Sequence, residues 1–392
     1  MCSLRALARN AGSYLYALTL VSVVAGSSTD AVSQTVEALQ RLPANQQAAF
    51  QERLNGSTVV IATGHPTTSY FAMSHDIAFT ASSKDGMRLL PLSSEGGIGT
   101  LRDLLFLRGV DLAIVPANVL VRAKETDALG PALEQRAAYI TRLYNEEIHL
   151  IAGQSINTFN ELRGKKIAVS QHDGNAAFTV RDLMEHLNVE TVRMPVAQAL
   201  AAAKSGEIAA VLLIGSKPMP LVSELPKDGS LRLLNVPFAP ALEDGYVPSA
   251  FRADDYPSLV PPGVVVESLA VSAVLVANAK DRDGSSQRVA KLVPSLLNAL
   301  SERPVLNPHS GWGQVNLAAA LHGWNRLPAA EEWLRSAQQE QSLALQRTFE
   351  AFLREKTSAN APELSAAQRK KLFEEFVRWT RKSVGEAESS AR

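Results

Sequence analysis

Short apolar, β-branched segments alternate with amphipathic segments of helical periodicity over residues 58–236. The predicted strands cover residues 58–62, 87–92, 111–115, 148–152, 166–170, 191–194, 209–214 and 231–236. The helical segments between them cover residues 69–79, 100–107, 176–187, 196–205 and 216–224. Strands that alternate with helices form parallel sheets whose two faces are covered by helices. The pattern therefore predicts an α/β fold.

The C-terminal part of the chain is different in character. A longer β segment at residues 269–278 precedes a helical segment at 286–301. Beyond residue 327 only helical periodicity remains, at residues 329–356 and 365–382, with a Ser/Pro-containing break between the two. Residues 328–392 are therefore predicted to be a helical extension that ends in a frayed tail.

The N-terminus has the pattern of a secretory signal peptide. Arg5 and Arg9 precede an apolar run over residues 11–26 that ends in small residues. The run is shorter than the roughly 20 residues that a membrane-spanning helix needs, although a retained N-terminal anchor remains the alternative. Cys2, the only cysteine, precedes the run. We expect residues 1–26 to be removed, residues 27–55 to form a helical leader, and the protein to be periplasmic.

Composition and motifs exclude several functions. The 39 basic and 39 acidic residues give a net charge of +0, so the chain lacks the basic footprint of a nucleic-acid-binding protein. The sequence contains no phosphate-binding loop, nucleophile elbow or dinucleotide motif, and its seven histidines lack metal-ligand spacing. No enzyme, cofactor or metal is therefore predicted. A hydrolase without a sequence signature stays open, because catalytic triads are recognised by geometry.

Four loops rich in glycine and small polar residues follow predicted strands, and they begin at Thr63, Ser93, Gln171 and Gly215. The first N–H groups of a helix after such a loop can bind an anion or a carbonyl oxygen. Ligands of open α/β sheets gather at the carboxyl ends of the strands. Each loop taken alone also fits simple helix capping. Together the loops predict a cleft for a small polar molecule.

The order of these segments resembles the TAXI family of solute-binding proteins from TRAP transporters. Residues 60–69 (VIATGHPTTS) are similar to the opening strand and Thr-Gly loop of that family, and residues 93–120 to its Gly-Gly loop, helix and strand. The segment from Ile156 (INTFNELRGKKIAVSQHDG) is similar to the entry into the second lobe. GEIAAVLLIGSKP from Gly206, YVPSAFRADDYP from Tyr246 and SLAVSAVLVAN from Ser268 continue the resemblance, which extends over residues 58–324.

The resemblance implies a two-lobed, periplasmic binding protein type II-like fold with the helical extension added. Lobe 1 would comprise residues 56–150 and 250–327, and lobe 2 would comprise residues 151–249. The solute would lie between the lobes and be delivered to a membrane permease. The alternative is a sensor or assembly module of the same fold that acts through its C-terminal helices.

The predicted ligand-binding residues lie in the polar loops or at the starts of the helices that follow them. They are Thr63, Gly64, His65, Thr67, Thr68, Tyr70, Ser94, Gly96, Gly97 and Asn118 in lobe 1, with Asp173, Gly174, Asn175, Ala176 and Ser216 in lobe 2. His65 is open to two interpretations, a polar ligand contact or a surface residue at a helix start. The expected solute is an organic acid or an amino acid. Glu95 and Asp173 disfavour an anion, however, unless a cation such as Lys217 compensates.

Overall fold

The computed structural model describes residues 43–81, 86–281, 284–302, 315–356, 365, 367–368 and 370–377. The chain divides at Thr58 into two units, residues 1–58 and 59–392. The described part of the first unit is mainly helix α1, Ala44–Gly56, which starts directly after Pro43 and has no buried residue. The predicted signal peptide and residues 27–42 of the predicted leader lie outside the described residues.

The second unit contains strands β1 to β10 and helices α2 to α10. The strands are β1 (Thr58–Thr63, its first residue in the first unit), β2 (Arg88–Ser93), β3 (Leu112–Pro116), β4 (Ala137–Gly153), β5 (Lys166–Ser170), β6 (Glu190–Met194), β7 (Ala210–Gly215), β8 (Leu231–Leu233), β9 (Val247–Phe251) and β10 (Val266–Asn278). The helices are α2 (Ser69–Ala81), α3 (Ile98–Phe106), α4 (Ala117–Glu125), α5 (Leu133–Arg136), α6 (Ala176–Met184), α7 (Val196–Ser205), α8 (Pro220–Ser223), α9 (Ser285–Ser301) and α10 (Pro328–Lys356).

All ten strands belong to one mixed sheet. Its main path runs β2-β1-β3-β10-β4-β7-β5-β6, with β8 paired to β4 and β9 paired to β10.

The strand directions differ between the ends and the middle of the sheet. At the two ends the strands pair in parallel, β1 with β3 and β5 with both β6 and β7. In the middle, β4 and β10 pair antiparallel to each other and to their outer neighbours. We call β2-β1-β3 the first half of the sheet and β7-β5-β6 the second half.

Apolar side chains cover both faces of each half, as the alternation along the strands requires. In the first half, Ile61 packs in the cluster that includes α2 and α9, whereas the next residue, Ala62, packs in the cluster that includes α3 and α4. In the second half, Ile167 faces α6 and Ala168 faces α7. Helices on both faces account for the continuous apolar runs seen in the sequence.

The structure confirms the predicted α/β class and the C-terminal helix, and it differs from the predicted elements in several places. The segment predicted as a helix over residues 216–224 is helical only at Pro220–Ser223. The edge strands β2 and β6 are largely exposed, although they were predicted to be buried. The sequence pattern did not reveal α4, β9 or the first eleven residues of β4. The lobe boundaries remain a prediction.

Two helices, α9 and α10, follow the last strand of the sheet. Helix α9 packs in the core of the first half, and the start of α10 joins the same core through Ala330. The distal part of α10 forms a separate small cluster, in which Phe349 and Leu353 pack with Phe376. Within the described residues, no helix is both long and apolar enough to cross a membrane.

Candidate functional site

A cavity of about 580 Å³ lies where strands from both halves end. The loop after β1 contributes Thr67 and Thr68, and the loop after β5 contributes residues 170–175 with one gap at 174. The ends of β6 and β7 lead into residues 195–196 and 213–221, most of which also line it. The carboxyl ends of parallel strands are the usual ligand position in such sheets, and the volume suits a small molecule.

The wall of the cavity has an apolar part and a polar part. Its apolar residues come from the second half and are Pro195, Val196, Leu213, Ile214, Gly215, Pro218, Met219, Pro220 and Leu221. Its polar residues are Thr67, Thr68, Ser69, Tyr70, Glu146, Ser170, Gln171, His172, Asp173, Asn175 and Ser216. Such a wall can enclose a solute with an apolar body and a few polar groups.

Glu146 of the central strand β4 is a buried carboxyl group in this wall. Only 3% of its surface is exposed, and its Oε1 accepts a hydrogen bond from the Ser69 hydroxyl at the start of α2. Burial raises the pKa of Glu146 to about 7, because a charged carboxylate loses hydration inside the protein. The Ser69 hydroxyl opposes this rise, and the nearby Asp173 adds to it. A carboxyl group held this way is unusual outside functional sites.

Asp173 caps the helix that starts at the cavity. Its Oδ1 accepts hydrogen bonds from the backbone N–H groups of Asn175, at 2.8 Å, and Ala176, at 3.1 Å. Burial raises the pKa of Asp173, while these two hydrogen bonds lower it. The N–H groups of Asn175 and Ala176 at the start of α6 are therefore occupied by the chain's own carboxyl group.

The loops of the two halves touch beside the cavity. A β-carbon at Gly174 would lie 2.5 Å from the carbonyl oxygen of Glu95 and 2.8 Å from that of Gly96. Gly97 adopts a φ of 56° at this contact, which favours glycine. The His65 and His172 rings stack across it with centroids 4.1 Å apart. The glycines in these loops thus allow backbone to approach backbone.

A second polar contact joins the halves through α4 and α6. Asn118 Nδ2 donates to Thr179 Oγ1 at 3.2 Å and to the Tyr246 hydroxyl at 2.9 Å. Arg122 pairs with Asp182 at 2.6 Å. Both loop and helix contacts are polar, so they can separate into water at less cost than an apolar interface.

The structure places the predicted site residues in three groups. Those that line the cavity are Thr67, Thr68, Tyr70, Asp173, Asn175 and Ser216. Those that line a neighbouring hollow of about 450 Å³ at the loop contact are His65, Ser94, Gly96 and Gly174. Those that line neither space are Thr63, Gly64, Gly97, Asn118 and Ala176. Thr63 is buried, and its carbonyl oxygen accepts the Ser94 N–H at 3.0 Å.

Sequence reasoning missed Ser69, Glu146 and the apolar wall. Glu146 and Glu147 are adjacent acids inside a 17-residue strand that is otherwise mostly buried. A pair of acids within such a run is a signal, because carboxylates are seldom buried without a partner. The apolar wall gives no comparable signal, since its residues resemble ordinary core residues.

Comparisons with protein-family models and with solved structures both found matches. The model of the NMT1-like family matches residues 61–322, nearly the same span as the predicted resemblance, and this confirms the predicted family relationship and type II-like fold. Among solved structures, periplasmic binding protein BugD is 12% identical, with a TM-score of 0.43 over 75% of this chain and 97% of that one. An ancestral arginine-binding protein bound to arginine is 14% identical, with a TM-score of 0.40 over 63% and 93%. No curated protein matches the chain.

Proposed function

The chain belongs to the NMT1-like family of solute-binding proteins, which are not enzymes, and we propose that it is the receptor subunit of a TAXI-type TRAP transporter. It would act in the periplasm, bind a small polar solute between two lobes and deliver it to a membrane permease. The lobes would correspond to the two halves of the sheet, with β4 and β10 as the strands that cross between them.

The observation that carries this proposal is the cavity at the strand ends. Residues from both halves and from crossing strand β4 line it. Two of its buried polar residues, Tyr70 and Asn175, have side-chain atoms without a hydrogen-bond partner. Buried polar atoms without partners cost free energy, and a bound solute would supply the missing hydrogen bonds. The polar contacts between the halves would allow the opening that a solute needs to enter.

Ligand-dependent thermal stabilisation tests the proposal. The full chain, purified without refolding, is screened against organic acids, amino acids, amines and neutral polyols, and solute released from the protein is identified by mass spectrometry. A ligand at 100 times its Kd stabilises the folded state by about 2.7 kcal/mol. We expect at least one compound class to raise the melting temperature.

A cavity-filling variant shows whether such stabilisation arises at this site. Ser216→Phe places a large side chain in the cavity, whereas Ser301→Phe makes the same change at an exposed helix end. Stabilisation by ligand should disappear in Ser216→Phe and persist in Ser301→Phe. The receptor proposal would be refuted if no compound stabilised the wild type and no solute co-purified with it.

A further inference from the structure

The charges around the cavity have one sign. Glu146 and Asp173 are its acidic residues, and none of the described residues in its wall is Lys or Arg. Among the described residues of the wall, His172 is the only one with a basic side chain. An anionic solute would therefore meet two carboxyl groups and no permanent cation.

Three cationic residues of neighbouring segments have other partners or positions. Lys217 Nζ donates to the Ala250 carbonyl oxygen and lies 3.6 Å from Asp255. Arg142 donates to the Ser272 hydroxyl. Arg193 favours ionisation of Asp173, but it lines the neighbouring hollow and not the cavity. The sequence allowed Lys217 to supply a positive charge that would offset the acidic residues. The described wall of the cavity does not contain this charge.

The helix N-terminus at the cavity is also partly occupied by the chain itself. In sites that bind carboxylates or phosphates, the first N–H groups of a helix point at the ligand. Here the N–H groups of Asn175 and Ala176 already donate to Asp173. A solute carboxylate would have to displace this side chain, which is covalently tethered beside them.

The buried polar groups of the wall are suited to a cationic solute. Glu146 is 3% exposed and accepts a hydrogen bond from the Ser69 hydroxyl. The Asn175 side chain is 3% exposed, and both its amide nitrogen and its amide oxygen lack partners. The Tyr70 hydroxyl also lacks a hydrogen-bond partner of normal geometry, and burial, with a smaller contribution from the neighbouring Glu146, raises its pKa. A buried carboxylate and free amide and hydroxyl groups can together surround an ammonium group.

We propose, on the basis of the receptor function above, that the solute carries a protonated amine or amidine that pairs with Glu146. The apolar wall formed by Val196, Leu213 and Met219 receives the body of this solute, and Asn175 bonds to a second polar group on it. Burial of the ion pair excludes water, and each charge thereby offsets the lost hydration of the other. The site discriminates against organic acids of the same shape.

Matched compounds that differ in one terminal group test this inference. The full chain is titrated with 2-phenylethylamine, 2-phenylethanol and 3-phenylpropionate, and with the corresponding amine, alcohol and acid on hexyl and cyclohexyl skeletons. We expect the amine in a set to raise the melting temperature most and the acid to raise it least. Hydrogen bonds to a charged group are each worth about 1.5–3 kcal/mol, so Glu146→Gln should weaken amine binding roughly ten- to hundredfold.

Two controls identify the group responsible. Glu207→Gln removes an exposed carboxylate and should leave the amine affinity unchanged, and Glu146→Gln should leave the alcohol affinity unchanged. If Glu146→Gln does not fold, wild-type titrations at several pH values replace it. Amine affinity should then rise from about pH 6 to about pH 8 as Glu146 ionises, while alcohol affinity stays constant. The other titratable groups facing Glu146 are Tyr70, Tyr144, Glu147 and Asp173, with His172 in the same wall.

The outcomes separate this inference from the receptor proposal. Stabilisation by acids in preference to amines would overturn the inference and leave the receptor function intact. Equal amine binding by wild type and Glu146→Gln would also overturn it. If no compound of any class stabilises the protein in either screen, and no solute co-purifies with it, both proposals are overturned.

Discussion

At the scale of single residues, Glu146 combines a cost in stability with a use in binding. Its carboxyl group lies inside the protein next to the Ser69 hydroxyl, where ionisation is opposed by lost hydration. In the absence of solute, this residue makes the folded state less stable than an uncharged residue of the same shape would. Residues that oppose stability at a binding site are expected where function depends on them.

Replacement of Glu146 by Gln should change how stability depends on pH. Burial raises the pKa of Glu146 from its ordinary 4.5 to about 7. The folded protein therefore holds a proton that the unfolded chain releases, and stability is lost as pH rises through this range. This rise in the pKa of Glu146 corresponds to about 3 kcal/mol in the free energy of unfolding. Glu146→Gln should therefore be more stable than wild type near pH 8 by up to this amount, and similar to it below about pH 4.5.

Urea unfolding of both proteins across this pH range measures the difference. Asp173 also has a raised pKa, but it is present in both proteins, so only the part of its contribution that depends on Glu146 enters the difference. Glu207→Gln serves as the control, since its carboxylate is exposed. Parallel pH profiles for wild type and Glu146→Gln would contradict the prediction.

A second residue-scale prediction concerns the close approach of the loops at Gly174. A methyl group there would lie 2.5 Å from the Glu95 carbonyl oxygen, so the two loops would have to separate. Gly174→Ala should therefore keep its fold but populate the closed arrangement less. If about one molecule in ten remains able to close, affinity falls about tenfold. Isothermal titration with a solute found by the thermal-stabilisation screen measures the change.

The matched control is Gly56→Ala, because no heavy atom lies within 4 Å of a β-carbon at that position and its φ is ordinary. It should bind like wild type. Unchanged affinity in Gly174→Ala would show that the loop contact is not needed for binding.

The residues of the site were predictable to different degrees. Asp173, Asn175, Thr67 and Thr68 lie in polar loops that follow strands, and that position is visible in the sequence because strand ends and helix starts have recognisable signals. Glu146 lies inside a strand. Its role depends on which helix packs over it, and that contact with Ser69, 77 residues earlier, is set by tertiary structure.

At the scale of elements, local pattern predicted the short parallel strands better than the crossing ones. Strand β5 begins and ends where the sequence pattern predicted, because helices cover both of its faces and its central residues 167–169 are apolar and buried. Strand β4 continues for 17 residues, Ala137–Gly153, through Asn145, Glu146 and Glu147. Such polar residues interrupt the apolar pattern, and only pairing with β10 and β7 keeps them in the strand.

The C-terminal helix α10 consists of two parts with different expected roles. Its first turns belong to the core, since Ala330 is fully buried and Trp333 Nε1 donates to Asn298 Oδ1 at 3.0 Å. Its distal part packs in the separate cluster of Phe349, Leu353 and Phe376. The proximal turns should stabilise the solute-binding unit, and the distal part should not.

Two truncations test this division. A chain that ends at Gln339 keeps Ala330 and Trp333, so it should retain its melting temperature. Its solute affinity should change by less than about twofold. A chain that ends at Leu327 exposes the core beneath them and should lose roughly 2–5 kcal/mol of stability, as large core deletions do. Thermal unfolding and titration of both chains measure the effects. If the chain that ends at Gln339 loses a partner or an oligomeric state and keeps solute binding, the distal helix is an assembly surface, as in the alternative function.

At the scale of the whole molecule, β4 and β10 set the motion that is possible. They pair with each other at the centre of the sheet, and each also pairs with an outer strand, β4 with β7 and β10 with β3. The remaining contacts between the halves described above are the glycine loops and the polar pairs of α4 and α6. Rotation about the crossing strands would break these contacts, which water can replace.

Distance measurements between spin labels should detect this rotation. Arg108 and Glu207 are exposed residues of the first and second half, and Cys2 is the only native cysteine, so labels at R108C and E207C in a C2S background report the separation of the halves. We expect a broad distance distribution without solute and a narrower, shorter one with it, because binding selects the closed arrangement. The pair R108C and E125C lies within the first half and should not respond. Identical distributions for R108C/E207C with and without saturating solute would mean that the cavity fills without closure, and the solute would then have to enter through the static structure.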